Sequence, residues 1–407
     1  KYWITAPRKG GKLKYAVLDV ETSIYANGHP FSACNKLCMV GIRINGVNSL
    51  FKIEYDEEPY GEKLERIRNL VCGDAIDYIV GYNLKFDLNW LARYGIVLPP
   101  TTSVFDCQLA EFILAAQSPV FPSLDYCLAK YGLGSKSDVI LREYWSKGID
   151  TPQVPLEELS AYLREDLRLT DELFQTTTIL VERSGLGNLV RLHMQDLRVL
   201  QEMEFNGICL DWASMDATRK QVEEELNDIN RQILLYCPED ARGWFNTGSN
   251  DHISALLYGG TINGKQSTPY EHTFTSGQRV GETVWRNRWQ NFQCIFPRLV
   301  DPQDGTELKK EGFWSTGADI LKQLPKPKAL LSLLLKQAEL SKLLDTYLVG
   351  FPKKAKEMDW QDGCIHSTLN QTVAITGRLS SSKPNQQNLP EVFNEFIITR
   401  FERTNTR

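Results

Sequence analysis

The chain has 407 residues, of which 42% are hydrophobic and 24% are charged, and its formal net charge at pH 7 is −5. This length exceeds one ordinary hydrophobic core and predicts two or three domains, while the negative charge argues mildly against a passive nucleic-acid binder. No segment approaches the ~20 consecutive apolar residues that a membrane helix requires, and the chain does not start with an apolar signal core, so we expect a cytoplasmic protein.

Nine cysteines are scattered along the chain without a Cys-X-X-Cys pair. This pattern favours free thiols in a reducing compartment over a disulfide framework or a zinc site. Cys34 and Cys38 come closest to the spacing of metal ligands, but no partner pair follows them downstream.

The first part of the chain alternates predicted strands and helices. KYAVLDVETS, LCMVGIRING and NSLFKIEY have strand-like patterns, and Asn45-Gly46 predicts a hairpin turn between the last two. GEKLERIRNLVCG then predicts an amphipathic helix, IDYIVGYN a buried strand, and FDLNWLARYG a helix that ends at Gly95. The alternation continues to about residue 185 and predicts an α/β domain.

After the glycine-rich break SGLGN at 184–188, the pattern changes to long helices. LVRLHMQDLRVLQEMEFNG and SMDATRKQVEEELNDINRQILLY have helical periodicity and are joined through Gly207 and the extended ICLD. Residues 259–315 instead predict a β-rich insertion with a turn at Asn263-Gly264. LKQLPKPKALLSLLLKQAELSKLLDTYLVG then returns to helical periodicity.

In the first part of the chain, acidic residues at three separate positions and one tyrosine are the candidate catalytic residues. Asp19 and Glu21 are two apart on a predicted strand and share one face, whereas Tyr162 and Asp166 are four apart on one face of a predicted helix. Asp87 begins a helix between them. Hard oxygen ligands without histidine or thiolate favour Mg²⁺ or Mn²⁺, and two such ions can hydrolyse a phosphodiester.

Each of these motifs has an ordinary alternative reading. DVET alone is most often an acidic strand end, and YLRED alone is a solvated helix face. The combination, in this order, favours a metal site. Asp106 in SVFDCQLAEFIL is predicted to be structural.

This combination resembles the tyrosine-type proofreading 3'-5' exonuclease domain of family A DNA polymerases. The resemblance implies a ribonuclease H-like α/β domain at 1–188, a mixed sheet with flanking helices. It also implies that Asp19 bridges two metal ions, that Glu21 and Asp166 complete the first metal site, and that Asp87 holds the second ion. Tyr162 would hydrogen-bond the attacking water with help from Glu21.

The second half carries more of the resemblance. FNGICLD, FNTGSNDHISALLYG, STGADILKQL and ELSKLLDTYL follow in the order seen in the thumb and early palm of family A polymerases, and IHSTLNQTVAITGRLSSSKPNQQNLP is the most specific match. The resemblance implies a mainly helical thumb at 189–362, with the β-rich insertion, and the start of an α+β palm at 363–407.

In that family the last of these segments contacts the primer-template duplex. By position, Arg378 would reach the minor groove near the primer terminus, where the acceptor atoms are shared by all correct pairs. The other residues that the resemblance places at DNA or beside it are Asn83, Gln371, Thr376, Ser380, Ser381, Asn385, Gln387 and Asn388. Gln386 departs from the family pattern, which has leucine there. The alternative for this segment is a polar turn region rich in Ser, Asn and Pro.

Polymerisation in the family needs two carboxylates that follow this segment, and no aspartate follows Asp362. The chain alone is therefore expected not to incorporate nucleotides. It would be a truncated fragment or one subunit of a split polymerase whose second polypeptide supplies the rest, and its start fits a compact phage-type enzyme or a trimmed chain. Expected partners are primer-template DNA, single-stranded 3' ends, and processivity or replisome proteins.

Three further segments carry residues that are typical of phosphate or nucleic-acid binding. Gly259, Gly264 and Lys265 imitate a phosphate-binding loop, but Gln266 lacks the hydroxyl such a loop needs, so a glycine-rich hairpin is favoured. WRNRWQNF at 285–292 interleaves arginine with aromatic residues, which predicts stacking on single-stranded bases, a half-buried amphipathic strand or a docking surface for a processivity partner. The eight lysines at 321–356 favour duplex contact over mere solubility.

The sequence therefore predicts the 3'-5' exonuclease portion of a family A DNA polymerase. Two alternatives stay open: a stand-alone DEDD-type exonuclease that acts on DNA or RNA, and a non-catalytic subunit that binds primer-template. The segment TGRLSSSKPNQQNLP argues against the first alternative, and the presence of all five exonuclease-site residues argues against the second.

Overall fold

A computed structural model describes residues 14–398 of the chain. Within this range the residues group into two compact units, the first formed by 14–211 together with 353–398 and the second by 212–352. Residues 1–13 and 399–407, which include the end of the predicted palm segment, lie outside the described residues.

The first unit is built on a five-stranded sheet with the order β3-β2-β1-β4-β5. β1 is antiparallel to β2 and parallel to β4, and β4 is parallel to β5, so the predicted mixed sheet is confirmed. The strands are β1 (Tyr15–Thr22), β2 (Leu37–Ile44), β3 (Val47–Lys52), β4 (Tyr78–Gly81) and β5 (Ser103–Asp106). Ala16, Val17 and Leu18 are almost fully buried, which places β1 at the centre of the core.

The predicted turn between β2 and β3 is also confirmed. Asn45 and Gly46 both have left-handed backbones, with φ of 49° and 81°. Asparagine and glycine tolerate this conformation best, and such two-residue turns match the twist of a hairpin.

Seven helices of the first unit flank this sheet or cover its edge. They are α1 (Gly61–Cys72), α2 (Leu84–Arg93), α3 (Cys107–Leu114), α4 (Leu124–Tyr131), α5 (Val139–Glu143), α6 (Leu156–Ser184) and α7 (Gly187–Asn206). Val190, Met194 and Leu197 of α7 belong to the same hydrophobic core as the sheet. The apolar face of α7 is therefore buried in the core of the first unit.

A short strand, β6 (Ile208–Leu210), follows α7 and leads to the second unit, which has its own hydrophobic core. Ile229 and Ile233 from α8, Leu256 and Leu257 from α9 and Leu330 from α11 lie in this core. The elements of this unit are α8 (Trp212–Leu234), α9 (Asn250–Tyr258), β7 (Gly260–Thr273), β8 (Thr283–Phe296), α10 (Ala318–Leu321), α11 (Lys328–Lys342) and a π-helical segment (Leu343–Val349). The next helix, α12 (Gly350–Glu357), begins in the second unit and ends in the first.

The turn predicted at Asn263-Gly264 is wrong. Asn263 pairs with Gln293 and Gly264 with Phe292 inside one long hairpin, and the chain reverses between residues 274 and 282. Gly264 serves a different purpose, since a Cβ there would lie 1.9 Å from the indole of Trp244. The glycine lets the Trp244 ring pack closely against the strand and does not form a phosphate-binding loop.

The last described segment adds four short strands to the first unit: β9 (Cys364–Ile365), β10 (Thr368–Asn370), β11 (Ser380–Ser382) and β12 (Ile397–Ile398). β6 lies between β12 and β9, and β10 pairs with β11. This pairing explains why 353–398 groups with the first unit.

The pairing of β6 with β9 places Cys209 directly opposite Cys364, and these two residues form a disulfide. This corrects the prediction of free thiols at both positions. The reason is long-range strand pairing, which joins cysteines 155 residues apart. The other seven cysteines are free. No helix in the described range is long and apolar enough to cross a membrane.

Candidate active site

The structure brings three of the predicted carboxylates together. Oxygen atoms of Asp19, Glu21 and Asp166 all lie within 4.8 Å of one another. Asp19 is partly buried, and Glu21 and Asp166 are buried. Asp19 and Glu21 from β1 and Asp166 from α6 thus meet at one point.

A close approach between α6 and the sheet makes this meeting possible. Gly41 of β2 lies directly opposite Asp19, and a Cβ at Gly41 would come within 2.8 Å of Leu167 and 2.9 Å of Leu163. Leu163 and Leu167 flank Asp166 on α6. Glycine at position 41 therefore lets the helix seat against the strands and carry Tyr162 and Asp166 to β1.

Asp87 lies next to this cluster but outside it. Its Oδ1 accepts a hydrogen bond of 3.0 Å from the backbone N–H of Val20, which stands between Asp19 and Glu21. Asp87 therefore connects the first turn of α2 to β1. One of its oxygens already has a protein donor.

Asp106 holds the start of α2, as predicted for a structural residue. Its carboxylate accepts hydrogen bonds from the backbone N–H groups of Leu84 at 2.8 Å and Asn83 at 3.3 Å. It also caps α3 through Gln108 and Leu109. Asn83 has a left-handed backbone with φ of 57°, which turns the chain between β4 and α2. Asp106 thus positions α2, and with it Asp87.

The clustered acids raise one another's pKa. Burial, followed by repulsion from Asp166, raises the pKa of Asp19 to about 7. Burial and the neighbouring Asp19 and Asp166 raise the pKa of Glu21 well above its usual value, and burial followed by Asp19 does the same for the pKa of Asp87. Such shifts mark a site where negative charge is concentrated without enough compensation, as at many functional sites.

Lys136 is a member of this site that sequence analysis missed. Its Nζ lies 2.5 Å from Asp166 Oδ2 and 4.6 Å from the centre of the Tyr162 ring. Burial disfavours the charged form of Lys136, but Asp166, Tyr162 and Asp19 raise its pKa overall. A single lysine in the loop between α4 and α5 gave no sequence signal of this contact.

The residues at this point fit a divalent cation. Asp166 Oδ1 is buried and has no hydrogen-bond partner among the residues that the structure describes. The donor set consists of carboxylate oxygens, the ligands that Mg²⁺ and Mn²⁺ prefer. A buried carboxylate with an unpartnered oxygen, clustered with two other carboxylates, is an arrangement that a bound cation would satisfy.

Tyr162 lies at the edge of the cluster and is buried. Its ring meets that of Trp145 edge to face, with centroids 5.8 Å apart. Burial, followed by the charge of Asp166, raises its pKa above the usual value for a phenol. The Tyr162 hydroxyl therefore stays protonated, and can donate a hydrogen bond, through the neutral pH range.

The residues predicted to contact DNA fall into two groups. Five of them are exposed, two between β10 and β11 and three after β11: Thr376, Arg378, Asn385, Gln387 and Asn388. Of these, Gln387 also donates to the carbonyl of Leu379 at 3.2 Å, and Asn385 accepts from the backbone N–H of Gln387.

The other predicted DNA contacts are engaged inside the first unit. Ser381 is buried and its Oγ accepts from the N–H of Gln386 at 3.1 Å, and Gln371 donates to the carbonyl of His193 at 3.0 Å. Ser380 lies in β11, paired with Asn370. Asn83 and Gln371 line one cavity of about 50 Å³. Gln371 thus attaches this part of the chain to α7, and Ser381 stabilises the turn that follows β11.

A buried polar network, also absent from the sequence analysis, joins α2, α7 and β10. Glu204 accepts from Lys85 Nζ at 2.6 Å, from Asn89 Nδ2 at 3.0 Å and from the N–H of Leu369 at 2.6 Å. Its backbone carbonyl lies 2.8 Å from His366 Nδ1. The network connects the helix that carries Asp87 to the strand that begins the predicted DNA-contact segment.

Comparison with known proteins gives a consistent result. Residues 288–405 match the family model described as DNA polymerase family A. The chain is 27% identical over 321 residues to DNA polymerase I of Chloroflexus aurantiacus, covering 76% of this chain and 28% of that protein. It is 24% identical over 384 residues to DNA polymerase I of Borreliella burgdorferi, and this match covers 93% of this chain and 36% of that protein.

Among solved structures, the chain resembles the POL domain of Pol1 from M. smegmatis in complex with DNA primer-template and dNTP. The TM-score is 0.62 at 18% identity, and the match covers 93% of this chain and 53% of that one. At this identity the likeness concerns the fold. The chain spans only about a third of the length of the curated relatives named above.

Proposed function

We propose that this chain, whose family match and curated relatives support a place among the family A DNA polymerases, removes nucleotides from the 3' ends of DNA by hydrolysis. The observation that carries the proposal is the meeting of Asp19, Glu21 and Asp166 within 4.8 Å. Residues far apart in the sequence converge there, with Asp87 and Tyr162 beside them.

Each residue of the site would have a distinct role. Asp19, Glu21 and Asp166 would hold a divalent cation, with Oδ1 of Asp166 available as a ligand. Asp87, fixed by the N–H of Val20, would offer its other oxygen to a second cation. The phenol of Tyr162 would donate a hydrogen bond that orients the attacking water.

When bound, two divalent cations would activate the water and stabilise charge on the phosphoryl group and the leaving 3' oxygen. The protein supplies surroundings from which water is largely excluded, and charge stabilisation is strong there because the dielectric constant is low. The burial of Glu21, Asp87 and Asp166 provides such surroundings.

The exposed side chains of the 371–390 segment would contact primer-template DNA. Arg378 is exposed there, as the resemblance to the family requires for a residue that enters the minor groove. Phage origin, a second polypeptide with the remaining polymerase parts and a processivity partner also stay proposals.

The proposal is tested by incubating the chain with Mg²⁺ and single-stranded DNA, or RNA of the same sequence, and measuring nucleotides released from the 3' end. We expect release from DNA that stops when EDTA removes the metal. A preference for RNA would instead favour the stand-alone exonuclease alternative.

Lys136 provides a test that does not depend on turnover. Because its ammonium group and a metal ion would compete for Asp166, Lys136→Met is expected to raise the affinity for Mn²⁺ by roughly tenfold, measured by isothermal titration calorimetry. Lys130→Met is the matched control, since Lys130 pairs with Glu111 at 2.6 Å, outside the cluster. An unchanged or weaker Mn²⁺ affinity in Lys136→Met would show that Lys136 does not oppose metal binding.

A further inference from the structure

The hairpin of β7 and β8 has a distal part that the second unit does not cover. The two strands pair along their whole length, from Gly260 opposite Phe296 to Thr273 opposite Thr283, a ribbon about 45 Å long. Ile262, Cys294 and Phe296 at its base belong to the hydrophobic core of the unit. No residue from 265 to 293 is buried. A two-stranded ribbon exposed on both faces is only marginally stable alone, so a partner for it is expected.

Two tryptophans stand on one face of this distal ribbon. Trp285 is 70% exposed and Trp289 is 72% exposed. They are four residues apart on β8, so they share a face and lie about 13 Å from each other along the strand. Indole rings exposed to this degree are unusual on a protein surface and often mark a contact site.

The same ribbon carries an excess of positive charge. Arg286 lies over the ring of Phe274 at 4.9 Å, and Arg288 over the ring of Tyr270 at 5.7 Å. Arg279 forms an ion pair with Glu282, whereas Arg286 and Arg288 form no ion pair within residues 14–398. Between residues 265 and 293, four basic residues face two acidic ones.

We propose that this ribbon binds single-stranded DNA. Within the described residues β8 pairs only with β7, so its other edge is open, and a DNA strand along that edge would reach the tryptophans on one face and the arginines on the other. Bases would stack on Trp285 and Trp289, and phosphates would lie near Arg286 and Arg288. This proposal is independent of the exonuclease site, which lies in the first unit.

Two features favour a single strand over other partners. In a duplex the bases are already stacked on each other, so they cannot stack on an indole without being unpaired. A protein partner would need a continuous apolar surface, but most positions between and beside the tryptophans on this face are polar, with Asn287, Asn291 and Ser267, and Pro269 and the acidic Glu271 interrupt this set. Amide and hydroxyl groups of this kind can hydrogen-bond base edges.

The test uses the intact chain in EDTA, so that no substrate is degraded, with a fluorescein-labelled oligothymidine as the probe. Fluorescence anisotropy should show that Trp285→Ala combined with Trp289→Ala weakens binding at least about tenfold, because each stacked base contributes about 1–3 kcal/mol. The same pair changed to Phe should keep most of the affinity. Ile295→Ala is the matched control, since Ile295 is 75% exposed on the same face near the base of the ribbon.

A second measurement separates charge from stacking. Arg286→Gln combined with Arg288→Gln should reduce the slope of log Kd against log salt by about 1.4, or about 0.7 for each phosphate that the variant no longer neutralises, whereas the tryptophan variant should keep the slope. Unchanged affinity in the tryptophan variant, or tighter binding of duplex than of single strand at the ribbon, would overturn the proposal. The two proposals can fail separately. If the chain binds oligothymidine through the tryptophans but releases no 3' nucleotides, only the proposed exonuclease is refuted. If it releases 3' nucleotides but its binding does not depend on the tryptophans, only the ribbon proposal is refuted.

Discussion

Asp19→Asn is expected to slow Mg²⁺-dependent release of 3' nucleotides from DNA by on the order of 10³-fold or more. The change keeps the shape of the side chain but removes one of the three carboxyl groups that meet within 4.8 Å. Because a neutral amide is a poor ligand for Mg²⁺, the site would lose transition-state stabilisation worth several kcal/mol. Steady-state release from a 5'-labelled strand measures the loss.

Two further variants test whether the loss of activity is specific to the cluster. Asp166→Asn, which alters the other side of the cluster, should lose activity to a similar extent. Asp74→Asn, an exposed acid outside the cluster, should keep it. Binding of primer-template DNA, measured in EDTA, should change little in all three variants. Activity retained in both Asp19→Asn and Asp166→Asn would refute the assignment of the site.

Glu204→Ala is expected to reduce the free energy of unfolding by about 3–5 kcal/mol. The substitution leaves the buried ammonium of Lys85 without its carboxylate and removes the acceptor of Asn89 and of the Leu369 N–H. An uncompensated buried charge is among the most destabilising changes that one substitution can make. Urea unfolding followed by circular dichroism measures the effect.

The neighbouring Glu202→Ala, on the exposed side of α7, is the control and should change stability by less than about 0.5 kcal/mol. Replacing both partners, Lys85→Met with Glu204→Leu, should recover part of the stability, because no charge is then left buried. Equal stability of Glu204→Ala and Glu202→Ala would mean that the network contributes nothing to the fold.

Local periodicity was enough to predict the part of the site that lies within single elements. Asp19 and Glu21 share a face because side chains alternate along a strand, and Tyr162 and Asp166 share a face because they are four apart on a helix. The Asn45-Gly46 turn was predictable for the same local reason, since both residues accept the left-handed backbone it requires. These predictions did not depend on how distant parts of the chain meet.

The features that sequence analysis missed or misplaced are set by long-range packing. Lys136 reaches Asp166 from a loop whose composition is ordinary, and Glu204 meets Leu369 across 165 residues of sequence. The strand pairing that places Cys209 opposite Cys364 had no local signal. The dipeptide Asn263-Gly264 is typical of a turn, but here it lies in a strand. It pairs with β8, and the ring of Trp244 packs against Gly264.

The most direct measurement of the central claim is the fate of a 5'-labelled single-stranded DNA incubated with the intact chain and Mg²⁺. A 3'-5' exonuclease built on Asp19, Glu21 and Asp166 should shorten the strand one nucleotide at a time from its 3' end and stop when EDTA is added. A strand that stays intact, is cut internally, or is shortened equally well in EDTA would contradict it.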